Sequence, residues 1–212
     1  MRLVIFGPQG AGKGTQGVGI SEKYGIPAIS TGEIFRWAVA GKTALGLRVL
    51  EYVNAGQLVP NELTIQVVSE RLEADDVKDG FILDGFPRNI AQAEALDRLL
   101  DDQGCGLDAA LVIDVPQEIS VQRILGRMAC TKCGRNYSIE TPPEVDHVCD
   151  VCGGDVVRRT DDVDEKTVLS RLETYHRETE PLKTYYEKRG LLREVDGVGS
   201  PSDVFAKIVA VL

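Results

Sequence analysis

The chain has 212 residues, of which 43% are hydrophobic and 27% charged, and its formal net charge is −9. That length suits one substantial core with small inserts, and the composition is typical of a globular protein. The negative charge argues against non-specific binding to nucleic acids or anionic membranes, and no apolar stretch is long enough to span a membrane. Because the N-terminal apolar run is also too short for a signal peptide, we expect a cytoplasmic protein.

The first predicted strand, Leu3–Phe6, leads into Gly-Pro-Gln-Gly-Ala-Gly-Lys-Gly-Thr at residues 7–15. A strand, a glycine-rich turn and a helix in this order are typical of a phosphate-binding loop, whose backbone N–H groups surround one anion. Lys13 adds a full positive charge beside the helix dipole. Gly14 stands where Ser or Thr is usual, and Thr15 follows it. The sequence therefore predicts binding of a polyphosphate, not an ordinary glycine-rich turn.

Further β-like runs alternate with helical patterns along the chain. The runs are Ala28–Ser30, Phe81–Leu83, Ala109–Ile113 and Leu191–Val195, and the helical patterns are Leu63–Leu72, Ile90–Leu100, Ile119–Ile124 and Val168–Tyr186. Asn61 is predicted to be an N-cap, as is Ser200 before Pro201. The alternation predicts an α/β fold of three layers, similar to P-loop NTPases, in which a five-stranded parallel sheet carries helices on both faces. Ligands of such a sheet bind at the carboxyl ends of its strands.

Residues 128–163 break this alternation and contain four of the five cysteines. Cys130, Cys133, Cys149 and Cys152 form two C-x2-C pairs separated by fifteen residues, which is the spacing of a closed structural zinc site. Two disulfides or four idle thiols are the alternative, which the reduced state of intracellular thiols disfavours. His147 is an alternative ligand for one of the cysteines. A zinc ribbon also suggests nucleic-acid binding, but this insert is acidic.

Seven arginines lie near predicted strand ends or beside the insert. They are Arg36, Arg88, Arg123, Arg127, Arg158, Arg159 and Arg171. A single arginine is usually a solvated surface residue, but a set of them at the ligand-binding edge of an acidic chain indicates a second phosphate site.

With these motifs in view, the whole chain resembles an adenylate kinase of the long-lid, zinc-containing type. The resemblance rests on GPQGAGKGTQ, STGEIFR, GQLVP, LDGFPR, QRILGR, the CTKC…CDVC insert, RRTDD and VDG. It implies reversible, Mg²⁺-dependent transfer of a phosphoryl group between ATP and AMP, giving two ADP, in adenine nucleotide homeostasis and AMP salvage. The alternatives are a kinase whose acceptor is UMP, CMP or GMP, and a zinc-ribbon nucleotide switch or nucleic-acid binder.

The resemblance also implies a division of the chain into three parts. Residues 1–29, 60–126 and 164–212 would form the core P-loop domain, residues 30–59 an NMP-binding domain, and residues 127–163 a lid domain around structural Zn²⁺. The two inserts would close over AMP and ATP and expel water. We expect a monomer that acts on ATP, AMP and ADP, with no nucleic-acid or membrane partner.

The implied site residues fall into two sets. The ATP set is Gly10, Ala11, Gly12, Lys13, Gly14, Thr15, Arg123, Arg127, Asn136, Tyr137 and Gly199. The AMP set is Thr31, Arg36, Gln57, Leu58, Val59, Gly85, Phe86, Pro87, Arg88, Gln92, Arg159 and Arg171. Of these, Lys13, Arg88, Arg127, Arg159 and Arg171 are expected to be catalytic, because positioning and charge neutralisation dominate phosphoryl transfer.

Three further expectations concern individual residues. Asp84 and the Thr15 hydroxyl are expected to reach Mg²⁺ through water. The Gln92 amide can pair with an adenine edge. The stretch from Asp161 to Arg171 is one residue longer than expected, which leaves open whether Arg158 or Arg159 points inward, although Arg159 fits better.

Overall fold

The computed structural model describes residues 1–54, 57–139, 141–159, 162 and 165–212. The strands in these ranges are β1 (Arg2–Phe6), β2 (Ala28–Ser30), β3 (Phe81–Asp84), β4 (Ala109–Asp114), β5 (Met128–Cys130), β6 (Asn136–Tyr137), β7 (Val156–Arg158) and β8 (Leu192–Asp196). Five of them form one sheet in the order β2-β3-β1-β4-β8, and every neighbouring pair in it is parallel. Each of these five strands agrees with its predicted run to within one residue at either end, so the predicted parallel sheet is confirmed.

The helices of the described residues fill the connections between these strands. They are α1 (Lys13–Tyr24), α2 (Thr31–Ala40), α3 (Ala44–Asn54), α4 (Asn61–Leu72), α5 (Ile90–Asp102), α6 (Gln117–Leu125), α7 (Glu165–Thr174), α8 (Leu182–Glu187) and α9 (Pro201–Val211). A 3₁₀ turn covers Asp75–Val77, and a π turn at Tyr175–Thr179 follows α7. Among the described residues as a whole, no helix has the length and the apolar character needed to cross a membrane.

The core lies on both faces of the sheet, because side chains alternate along each buried strand. Val4 and Phe6 of β1 join a cluster with residues of α4, α5 and α8. Leu3 and Ile5, whose side chains point to the opposite face of the sheet, join a second cluster with residues of α1 and α9. The three-layer α/β architecture predicted from the sequence is therefore confirmed.

Two segments outside the main sheet have small apolar clusters of their own. Residues of α2, α3 and the start of α4 pack around Phe35 and Val49. In the other segment, β5 pairs with β6 and β7 in an antiparallel sheet, whose buried residues include Tyr137 and Val156. The predicted domain boundary between residues 163 and 164 lies outside the described residues, as do Gly56 of the GQLVP motif and Thr160 and Asp161 of the RRTDD motif.

The predicted helix ends and helix lengths were only partly correct. Ser200 is the N-cap of α9, and its hydroxyl accepts a hydrogen bond from the Asp203 N–H. The N-cap prediction for Asn61 was wrong, because α4 begins at that residue and its side chain bonds elsewhere. The helix predicted over Val168–Tyr186 is α7, the π turn and α8, since Pro181 has no N–H with which to continue a helical ladder.

Candidate active site

The loop between β1 and α1 has the backbone of an anion-binding turn. Gly10 and Gly12 have φ angles of 73° and 91°, which favour glycine. A Cβ on Gly10 would also lie 2.6 Å from the Ser120 carbonyl oxygen. Because no side chain caps α1, its first N–H groups remain available to an anion held in this loop.

Lys13 lies inside the loop and contacts its carbonyl groups. Its Nζ donates to the oxygens of Gly7 at 2.9 Å and Pro8 at 2.7 Å. Burial lowers the pKa of Lys13 to about 8, although the Asp84 carboxylate opposes this shift. The ammonium group is therefore mostly charged at neutral pH and loses its proton as pH rises through about 8.

Three of the predicted arginines surround one buried carboxylate, that of Asp162. The Arg127 Nε donates to Asp162 Oδ2 at 2.8 Å, and the Arg171 Nη1 donates to Oδ1 at 3.1 Å. The Arg159 Nε lies 3.5 Å from Oδ2. Asp162 is fully buried. Asp162 thus contacts three guanidinium groups among the described residues, and such groups suit phosphate.

The sequence left open whether Arg158 or Arg159 points inward, and the structure distinguishes the two. Arg159 lines the central cavity and faces Asp162. Arg158 is exposed and donates to the Leu125 carbonyl at 2.8 Å. Arg159 is therefore the inward residue of the pair.

Arg123 connects the phosphate loop to the segment between β8 and α9. Its guanidinium donates to the carbonyl of Gly197 at 3.1 Å and to that of Gly199 at 3.4 Å. A longer contact of 3.5 Å reaches the Gly10 carbonyl. These contacts hold the predicted adenine-side residue Gly199 beside the loop.

A second group of residues lies at the ends of β2 and β3. The Thr31 hydroxyl and the Arg88 Nε both donate to the Gly85 carbonyl, at 2.9 Å and 2.8 Å. The Arg88 carbonyl in turn accepts from the Thr179 hydroxyl at 2.8 Å. Burial raises the pKa of Glu33, while Arg36 and Arg159 oppose this shift. Arg88 is thus held both at its guanidinium group and at its carbonyl oxygen.

One cavity brings the two groups together. It is lined by every residue predicted for nucleotide binding except Phe86, and also by Asp84. Phe86 is 1% exposed and packs in the core beneath the sheet. The residues that the sequence placed on two separate phosphate sites therefore face one shared space at the carboxyl edge of the sheet.

The four cysteines of the insert converge on one point. Their Sγ atoms all lie within 4.8 Å of one another, and two of the pairs are 3.5 Å apart. A tetrahedral zinc site with Zn–S bonds of about 2.3 Å needs sulfurs about 3.8 Å apart, so the cluster fits that ion. The cysteines are free thiols and not disulfides, and His147 Nδ1 instead lies 3.2 Å from the Val156 carbonyl oxygen.

Hydrogen-bond donors face two of the four sulfur atoms, Cys130 Sγ and Cys149 Sγ, whereas burial raises the pKa of the Cys133 thiol to about 12. The N–H groups of Lys132 and Cys133 lie 3.4 Å and 3.5 Å from Cys130 Sγ. The Tyr137 hydroxyl donates to Cys149 Sγ at 3.3 Å and lowers the pKa of Cys149 to about 6. Tyr137 lines the shared cavity, but its hydroxyl donates to the cysteine cluster.

Three residues that contact this site were not predicted from the sequence to do so. Asp162 belongs to the RRTDD motif, but no contact with an arginine was predicted for it. Thr179 lies in a helical pattern, and Asn61 was assigned to a cap, so neither was predicted to contact the site. Their contacts span 35 residues for Asp162 with Arg127, 91 for Thr179 with Arg88, and 31 for Asn61 with Gln92.

Comparison with known proteins gives one consistent family. The family model described as adenylate kinase matches residues 5–191. A protein named adenylate kinase from Clostridium tetani (strain Massachusetts / E88) is 51% identical over 213 residues, which cover 100% of this chain and 98% of that relative. Adenylate kinases from Carboxydothermus hydrogenoformans and Thermodesulfovibrio yellowstonii are 50% and 49% identical, with 98% and 100% of this chain and 97% and 99% of each relative covered. On the evidence of its fold, its shared cavity and these relatives, the chain belongs to the adenylate kinase family.

Proposed function

We propose that this protein catalyses the reversible, Mg²⁺-dependent reaction of ATP with AMP to give two ADP. The observation that carries the proposal is the shared cavity, in which the phosphate loop faces a second group of phosphate-binding side chains. A nucleotide switch needs only the loop, whereas transfer between two nucleotides needs both groups in one space.

On the donor side, the N–H groups of Gly10–Thr15 and the Lys13 ammonium would hold the ATP phosphates. Arg123 and Gly199 would lie along the nucleoside, where the backbone of Gly199 meets the adenine. Asn136 and Tyr137 would cover the ATP from the lid side. The contacts of Arg123 with Gly197 and Gly199 support this arrangement.

On the acceptor side, Thr31, Arg36 and the 57–59 segment would enclose AMP. Arg88 would bind the AMP phosphate, and Gln92 would pair with the adenine. The contacts of Arg88 and Thr31 with the Gly85 carbonyl support a preorganised site.

Transfer itself needs little acid–base chemistry, because the acceptor is already an anionic phosphate oxygen. Lys13, Arg88, Arg127, Arg159 and Arg171 would bring the two phosphate chains into line and neutralise their charge. When bound with ATP, Mg²⁺ supplies further neutralisation of the phosphate oxygens. Asp84 would hold it through water, since this carboxylate lies beside Gly14 at the cavity edge.

The lid would work as a stiff cover. Cys130, Cys133, Cys149 and Cys152 would hold structural Zn²⁺, which stabilises an insert too small to bury much core. We propose residues 127–163 as this lid, 30–59 as the NMP-binding domain and the remaining segments as the core. Their separate apolar clusters support the division.

The protein would act as a monomer in the cytoplasm. A single chain supplies both groups of predicted nucleotide-binding residues to one cavity, which supports a monomer. The free cysteines are consistent with a reducing compartment.

The experiment that tests the function measures ADP formation from MgATP with AMP, GMP, CMP or UMP. We expect efficient turnover with AMP, and equal or better turnover with a pyrimidine monophosphate would overturn the assignment. Arg88→Ala should abolish most AMP turnover and leave ATP affinity within about twofold, because Arg88 lies on the acceptor side. Arg98→Ala, at an exposed position of α5 with the same change of charge, is the matched control.

A further inference from the structure

The Gln92 side chain has an amide whose orientation is fixed by its neighbours. The Arg88 backbone N–H donates to Gln92 Oε1 at 2.8 Å. A backbone N–H can only donate, so the atom that faces it must be the amide oxygen. The Gln92 Nε2 then points away from Arg88 and donates to Asn61 Oδ1 at 2.9 Å. Gln92 is only 1% exposed, which leaves the amide little freedom to turn.

A second backbone donor fixes the orientation of Asn61 itself. The Gln92 N–H donates to Asn89 Oδ1 at 3.0 Å, because Asn89 is the N-cap of α5. The Asn89 Nδ2 therefore faces Asn61 and donates to its Oδ1 at 2.9 Å. Two amide nitrogens thus converge on one atom of Asn61, and only an oxygen can accept from both.

This chain of hydrogen bonds determines which atom of the Gln92 amide can donate to a ligand and which can accept from it. Gln92 lines the nucleotide cavity. Its Nε2 has a second hydrogen beyond the one given to Asn61, and its Oε1 has a second lone pair. The amide can therefore donate through nitrogen and accept through oxygen, but it cannot exchange the two without breaking the bonds to Arg88 and Asn61.

Adenine and guanine differ in just this respect. Adenine presents an acceptor at N1 beside a donor at the N6 amino group, whereas guanine presents a donor at N1 beside an acceptor at O6. An amide of one fixed orientation can pair with the first edge, and it must be reversed to pair with the second. Leaving a buried polar group unpaired is what gives such sites their selectivity.

We propose that Asn61 is a positioning residue that fixes the orientation of the Gln92 amide and thereby sets the preference for an adenine over a guanine monophosphate. The inference rests on the proposed function, in which AMP lies beside Gln92. Asn61 acts through Gln92 and does not itself bind the nucleotide.

The test compares Asn61→Leu with Asn61→Asp. Leucine has a similar size but no oxygen, so the bond from Gln92 Nε2 is lost and the Arg88 N–H remains as a weaker constraint on the amide. We expect the ratio of kcat/KM for AMP to kcat/KM for GMP to fall about tenfold, mainly through a higher KM for AMP, with the KM for ATP within twofold. Aspartate keeps an oxygen in front of both amide nitrogens and should retain the ratio of the unaltered protein. Glu62→Leu places the same side chain at the next, exposed position of α4 and serves as the control.

The possible outcomes distinguish a failure of the positioning role of Asn61 from a failure of the proposed reaction of ATP with AMP. An unchanged AMP-to-GMP ratio in Asn61→Leu overturns the positioning role, and so does an equal loss of selectivity in Asn61→Asp. Failure of the unaltered protein to phosphorylate AMP overturns the proposed function instead. A measurement independent of variant folding uses the side-chain amide NMR signals of Gln92 in the unaltered protein. AMP should shift these signals strongly and GMP at the same concentration weakly, and equal shifts would contradict the inference.

Discussion

Asp162 contacts three of the arginines that line the cavity. Guanidinium groups repel one another, and their desolvation is costly, so three of them gather only around a compensating charge. Asp162 provides that charge from a fully buried position. Its role in the proposed mechanism is to place Arg127, Arg159 and Arg171 before the nucleotides arrive.

Replacing Asp162 by Asn tests this role with little change of shape. Removing one partner of a buried ion pair typically costs about 3–5 kcal/mol, so we expect a clearly lower free energy of unfolding. We also expect kcat to fall at least tenfold, because the arginines separate. Denaturant titration and steady-state kinetics measure the two effects. Asp146→Asn changes an exposed lid carboxylate and should alter neither, and wild-type kcat in Asp162→Asn would disprove the role.

Lys13 gives a prediction about pH. Its pKa of about 8 is lowered by burial, so the ammonium loses its proton as pH rises through that value. Bound phosphates favour the charged form and raise the pKa, so ATP affinity should fall above pH 8 and binding there should be accompanied by proton uptake. Calorimetry in two buffers of different ionisation enthalpy measures the uptake.

Two variants at this position serve as controls for that experiment. Lys13→Met has no titrating group, and Lys13→Arg keeps its charge throughout this range, so neither should take up the proton. Uptake of equal size in Lys13→Met would show that another group is responsible.

At the scale of elements, features set by local sequence patterns were predicted, whereas features set by contacts between distant residues were not. Strands β1, β3 and β4 are nearly continuous apolar runs, which is a local signal that made them predictable. The break at Tyr175–Thr179 was missed because the apolar spacing continues through it. Asn61 has the side chain of a good cap, but its partners Asn89 and Gln92 are distant in sequence. The roles of Asp162 and Thr179 likewise depend on distant partners that no local pattern specifies.

The cysteine-bearing segment should owe its stability to metal. With a small apolar cluster around Tyr137 and Val156, its folding energy must come largely from the ion. We expect Cys130→Ser to lower the Tm and the zinc content while most turnover at low temperature is retained. Metal analysis, thermal unfolding and an activity assay on one sample measure this.

Cys105→Ser is the control for the zinc experiment, since Cys105 lies outside the cluster. It should keep the full zinc content and the Tm of the unaltered protein to within a few degrees. A folded but fully inactive Cys130→Ser protein would contradict a purely structural role for the ion.

At the scale of the whole molecule, the segment proposed as the lid comes close to α2. Trp37 of α2 is 62% exposed, and its Nε1 would lie 3.8 Å from a Cβ placed on Gly134 of the lid. Trp37 is also the single tryptophan of the chain. The fluorescence emission of Trp37 should therefore report on the distance between α2 and the segment proposed as the lid.

We expect Trp37 emission to move to shorter wavelength as ligands close the lid, because the lid displaces water from the indole. ATP alone, AMP alone and an equilibrium mixture with ADP should give successively different spectra. Trp37→Phe should lose the signal, and free tryptophan in the same solutions controls for absorption by the nucleotides. Identical spectra with and without the mixture would show that α2 and the segment proposed as the lid keep a fixed separation.

The contacts of Lys13 with the Gly7 and Pro8 carbonyls have a consequence for the end of the catalytic cycle. A cation that is already solvated by its own loop exchanges partners when a nucleotide binds, so the gain is only the difference between two sets of contacts. In the proposed reaction, these carbonyl oxygens would compete with the product phosphates for the Lys13 ammonium. That competition would shorten the time for which ADP is retained, and each turnover must release two ADP.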